Sequence, residues 1–154
     1  MMTDWAATQR CAARVILAEG LAIQGEVHLQ PRVAWRDGPE TIIELLNRED
    51  NFFPLSLPSG EVVFVSKEQV AALTYATPPD GIDPARETSA RMIPLEVRMV
   101  GGVEYRGIAM SELPPNRARA LDLLNAHERF FLLVTSEGSL CLNRRHVRAA
   151  RPLS

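Results

Sequence analysis

The chain has 154 residues, enough for one ordinary domain or for two small ones of about 70 residues each. A hydrophobic fraction of 46% and a charged fraction of 23% belong to a globular protein and exclude a disordered one. No apolar run approaches the roughly 20 residues of a membrane-spanning helix, and Met1-Met2-Thr3-Asp4-Trp5 lacks the basic start of a secretory signal, so a cytoplasmic protein with no membrane partner is expected.

The net charge of −2 is unevenly spread. Residues 1–90 carry 7 Lys and Arg against 13 Asp and Glu, whereas residues 91–154 carry 10 against 6. Attraction between an acidic and a basic half would use this asymmetry, and so would a basic partner-binding face on the second half. Cys11 and Cys141, the only cysteines, stand far apart and outside any CxxC pair. They fit structural thiols in a reducing compartment better than a disulfide. His28, His127 and His146 stand at no metal-ligand spacing.

In chain order, residues 1–13 form a short arm around Trp5. Strand signals begin at Arg14-Val15-Ile16-Leu17 and continue after a turn at Gly20 with Ile23, Gly25, Val27 and Leu29 at period two. Gly25 inside that alternation marks a bend. Asp37-Gly38-Pro39-Glu40 reads as a helix start, with Asp as cap, followed by the apolar face Ile42, Ile43, Leu45 and Leu46. Asn47 closes this helix in the left-handed conformation. Phe52 to Leu57, a Pro58-Ser59-Gly60 turn and Glu61 to Val65 form a hairpin, and Val70 to Tyr75 a last strand.

The whole pattern then recurs. Leu123-Leu124-Asn125 and Phe130-Phe131 repeat Leu45-Leu46-Asn47 and Phe52-Phe53 at a distance of 78 positions, and Gly102 and Gly107 fall on Gly20 and Gly25. The prolines of Thr77-Pro78-Pro79-Asp80-Gly81-Ile82-Asp83-Pro84 exclude a regular element between the copies. The organisation expected is an arm at 1–13, a first repeat at 14–75, a Pro-rich linker at 76–92 and a second repeat at 93–154.

Each repeat reads as strand, strand, short helix, strand, strand, one polar turn, strand. The fold class expected is mainly β: two tandem SH3-like small five-stranded barrels, each with one short helix between strands 2 and 3. The pattern resembles the SH3-like barrels, including the Sm-like group, although Sm-like proteins place their helix before the first strand. It is also similar to an uncharacterised bacterial family combining a bent hairpin, an Arg-x-x-Asp-Leu-Leu-Asn helix and a Phe-rich strand. Arg119-Ala120-Leu121-Asp122-Leu123-Leu124-Asn125 and Phe130-Phe131 carry that similarity, and the first repeat departs from it with Thr41 and Glu44. The resemblance implies a fold and no activity.

No GxSxG, SxxK or GxxxxGK[ST] motif is present, and Gly101-Gly102 is a hairpin turn. A protein that is not an enzyme, with no cofactor and no metal, is expected. The residues that suggest a surface chemistry are Arg117, Arg119, Arg144, Arg145, His146, Arg148 and Arg151, a basic patch able to bind a phosphate backbone by counterion release. The alternative is a solvated face balancing the acidic first repeat. Asn47 and Asn125 are read as helix-terminating residues, not RNA-binding ones. One Phe of each pair points inward, and the other packs beneath the helix or between the repeats; an exposed pair would mark a partner-binding groove. The function expected is a binding or adaptor module for a protein or peptide. Nucleic-acid binding through the second repeat and a structural subunit of a larger assembly are the alternatives, and the oligomeric state is left open.

Overall fold

A computed structural model of the chain describes residues 9–35, 37–76, 91–111 and 119–153. The elements are β1 (Gln9–Leu17), β2 (Ala22–Leu29), α1 (Ile42–Asn47), β3 (Phe52–Ser56), β4 (Val62–Ser66) and β5 (Val70–Tyr75) in the first half. The second half holds β6 (Arg91–Met99), β7 (Glu104–Ser111), α2 (Ala120–Leu124), β8 (Phe130–Thr135), β9 (Gly138–Asn143) and β10 (Val147–Pro152). The protein is therefore mainly β, with a short helix after the second strand of each half. Among the described residues no helix is long and apolar enough to cross a membrane.

All ten strands belong to one antiparallel sheet, in the order β10-β6-β7-β8-β9-β5-β1-β2-β3-β4. Each half repeats one internal order, its last strand pairing with its first. The halves join where β5 pairs with β9, Leu73 lying opposite Cys141 and Tyr75 opposite Ser139. Among the described residues the sheet does not close on itself, and its terminal strands are β4 and β10.

β1 begins at Gln9 instead of Arg14, because Cys11 to Ala13 pair with Gly25 to Val27. Trp5 and residues 77–90 of the expected linker lie outside the described residues. The helix start also differs from expectation. Thr41, not Asp37, caps α1: its hydroxyl accepts from the Glu44 N–H at 3.3 Å while the Glu44 carboxylate accepts from the Thr41 N–H at 2.8 Å. That reciprocal pair satisfies donors at both ends of the first turn, which an Asp four residues upstream of Thr41 cannot reach. Neither Asn47 nor Asn125 takes the left-handed conformation, since every positive φ among the described residues belongs to glycine.

The glycines at the bends answer to contact, not to φ. A Cβ on Gly25 would stand 2.6 Å from the Ser56 carbonyl oxygen, and one on Gly107 2.3 Å from that of Val134. Both glycines let the second strand of a half press its backbone against the third.

Two apolar cores result, and each draws on both halves. Val15, Val27, Leu45, Leu46, Phe53 and Leu55 of the first half pack with Phe130, Leu132 and Cys141 of the second. Leu95, Val97, Met99, Phe131 and Leu133 pack with Ala71 and Ala72 of β5. Cys11 and Cys141 form no disulfide.

Candidate functional site: the terminal strand β4

In the β3–β4 ladder the Lys67 N–H donates to the Asn51 carbonyl and the Leu57 N–H to the Glu61 carbonyl. Alternation along an antiparallel pair then turns the backbone groups of Val63 and Val65 toward β3, and those of Val62, Phe64 and Ser66 outward. On the face that carries Phe52, the register places Phe52 opposite Ser66 and Pro54 opposite Phe64. Phe52 is 57% exposed and Phe64 64% exposed, with Val62 also exposed beside them. Phe53 and Leu55 point the other way, into the core.

The same geometry occurs in the second half with a different outcome. Phe130, Leu132 and Cys141 occupy the positions of Phe52, Pro54 and Phe64, and all three are buried, Phe130 to 1% exposure. First-half elements cover them: β5 pairs along β9, and α1 packs on β8. Asn47 completes the seal, accepting from the Phe130 N–H at 2.8 Å and donating to the Phe130 carbonyl at 3.1 Å. Asn143 closes the other end, its Nδ2 donating to the carbonyls of Val70 at 2.9 Å and Lys67 at 3.3 Å.

The residues of the basic patch are separated by their partners. Arg144 serves the fold: Nε donates to the Leu123 carbonyl at 2.9 Å, Nη1 to the carbonyls of Glu128 and Phe130, and the guanidinium lies 5.1 Å from the centre of the Phe131 ring. Burial pulls its pKa below the usual arginine range. Arg145 pairs with Glu68 at 2.8 Å, and a ring nitrogen of His146 lies 2.7 Å from the Glu68 carbonyl oxygen. Arg119 pairs with Asp122 on its own helix, and Arg151 with Glu96. Arg148 is exposed with no ion pair among the described residues. Arg117 lies outside them.

Lys67 is the first-half counterpart of Arg144. It is fully buried, with Nζ donating to the carbonyls of Leu45 at 2.8 Å and Arg48 at 3.2 Å. In both halves a cation at the start of the polar turn donates to one carbonyl in the short helix, Leu45 or Leu123, and to at least one beyond its end. Burial lowers the Lys67 pKa to about 8. Glu40 is also buried, and burial raises its pKa despite an ion pair with Arg48 at 3.1 Å.

A cleft of about 1020 Å³ runs between the halves, with Arg14, Glu26, Tyr75, Tyr105, Arg106 and Glu137 in its wall. Both signs of charge line it, Arg14 and Arg106 with Glu26, Glu104 and Glu137. Among the described residues no group of three or more His, Cys, Asp or Glu is placed to hold a metal ion. Comparison with protein-family models, with curated proteins and with solved structures returned no match.

Proposed function

We propose that this protein is a non-enzymatic binding module built from two SH3-like small barrels. It takes up an extended segment of a protein partner as an added strand along β4. Support for the barrel reading comes from the identical strand order of the halves, the glycine bend in each second strand and the single polar turn before each last strand. The observation that carries the binding reading is the contrast between β9 and β4. The edge of β9 is filled by β5, while among the described residues β4 ends the sheet, with Val62 and Phe64 of β4 and the neighbouring Phe52 of β3 exposed. A terminal strand offers main-chain hydrogen bonds for affinity, and side-chain contacts at alternate positions supply selectivity. An exposed apolar edge strand is otherwise a hazard that proteins blunt with charge or proline.

Selection of short extended peptides from a random display library against the full chain tests this. Binders are expected to carry apolar residues at alternate positions and to lose about tenfold or more in affinity against the Phe64→Lys chain. Binders that tolerate Phe64→Lys and Phe52→Lys alike, or no binders at all, would contradict the proposal.

A further inference from the structure

The strand that β4 accepts is β10 of a second copy of this chain: we infer that the protein associates head to tail, repeating between copies the β5–β9 junction it already contains. This inference rests on the reading of β4 as a docking edge and names its partner. The internal junction joins the fourth strand of one half to the fifth strand of the other. The duplication leaves one further fourth strand, β4, and one further fifth strand, β10, and among the described residues these are the two ends of the sheet. Their union is the contact already seen once, made between chains.

The residues at the two ends fit that union. The Leu153 N–H donates to the Pro94 carbonyl, so alternation turns the backbone of Ala149 and Arg151 toward β6, and that of Arg148 and Ala150 away from the sheet. Register carried over from β5–β9 sets Phe64 opposite Ala150, where the internal junction sets Cys141 opposite Leu73. Large and small have changed places, and the pair conserves its volume. Pro152, at the position of Tyr75, has no N–H to give, so the intermolecular ladder is shorter than the internal one and association depends on concentration.

The helices agree. Asn125 stands where Asn47 stands, but it is exposed and its side chain makes no hydrogen bond among the described residues. Leu121 on α2 is 64% exposed, whereas its counterpart Ile43 packs against the shared core. Seated on a neighbour as α1 is seated on β8, α2 brings Leu121 over Phe52 and Asn125 to the Phe52 backbone. Charge favours the same pairing, because β4 lies in the half with a balance of −6 and β10 in the half with +4. A heterologous contact of this kind builds rings where the rotation closes and filaments where it does not.

Sedimentation of the full chain tests the inference, using wild type, Phe64→Lys for the β4 end and Ala150→Pro for the β10 end. The Ala150 N–H points away from the sheet, so proline there removes no internal ladder bond. Leu121→Lys on the exposed face of α2 is a second β10-end variant that leaves the core untouched. Wild type is expected to form species heavier than a dimer as concentration rises, and each variant to remain at the 17.1 kDa of one chain. An equal mixture of Phe64→Lys and Ala150→Pro is expected to stop at twice that mass, since it holds one intact pair of ends. A wild-type monomer at every concentration would overturn the inference while leaving peptide binding at β4 intact. Growth of both β10-end variants with loss only in Phe64→Lys would mean that two β4 strands pair with each other, which also overturns it. Growth of Phe64→Lys equal to wild type would remove both the inference and the docking edge.

Discussion

Asn47 holds both backbone groups of Phe130, a residue 83 positions away, through one side-chain amide. A side-chain amide carries its acceptor and its donor on separate atoms, arranged as in a peptide group, so it substitutes for a strand partner at that point. Replacing Asn47 by Ala strands the buried Phe130 N–H and is expected to cost about 1–3 kcal/mol. Asn125→Ala removes no such bond within the chain and is expected to leave urea denaturation of the dilute protein unchanged. Equal losses at the two positions would contradict this assignment.

Phe52 and Phe130 give a second matched pair. Phe130→Ala opens a cavity in the core shared by the halves and is expected to cost about 3–5 kcal/mol. Phe52→Ala changes an exposed side chain and is expected to stay within about 0.5 kcal/mol. Denaturant midpoints on dilute protein measure both.

The duplication, the strand order within each half and the glycine bends are all carried by spacing, and spacing is local. What Phe130 touches is not local: the period-two pattern sends Phe52 and Phe130 to the same face of their hairpins, and the order of the strands then buries only one. Asn47 and Asn125 do stand at the ends of their helices, but that position says nothing of the strand that Asn47 reaches across the halves. Thr41 supplies the stronger signal at the other end, through Glu44 three residues on. The spacing of the basic patch shows the charges but not their partners: Arg144 donates to the carbonyls of Leu123, Glu128 and Phe130, and Arg145 pairs with Glu68 from the other half.

Gly107→Ala would place a methyl group 2.3 Å from the Val134 carbonyl oxygen, a backbone atom that cannot rotate away. An overpacking cost of about 1–3 kcal/mol is expected. Gly25→Ala is expected to behave alike, because Ser56 presents its carbonyl in the same way.

Lys67 gives the fold a pH signature. The unfolded chain keeps the ammonium proton to about 10.5, whereas the folded chain releases it at about 8. Between those values unfolding takes up a proton, so the Lys67 contribution to stability rises with pH across that window and is flat below it. Lys67→Met removes this slope and leaves the carbonyls of Leu45 and Arg48 without their donor, at an expected cost of about 1–3 kcal/mol at pH 7. Urea denaturation of both proteins at pH 7 and pH 9.5 reads the difference. A wild-type curve parallel to that of Lys67→Met would contradict the assignment.

Amide hydrogen exchange along β4, followed as protein concentration is raised, tests the docking edge most directly. Val62 and Ser66 turn their N–H groups out of the sheet, and Val63 and Val65 turn theirs to β3. In dilute protein Val62 and Ser66 are expected to exchange quickly and their two neighbours slowly. On concentration, or on adding a selected peptide, the outward pair is expected to slow as a new strand covers it. Outward amides already as slow as their neighbours in dilute protein, or still fast when every partner is present, would contradict the account.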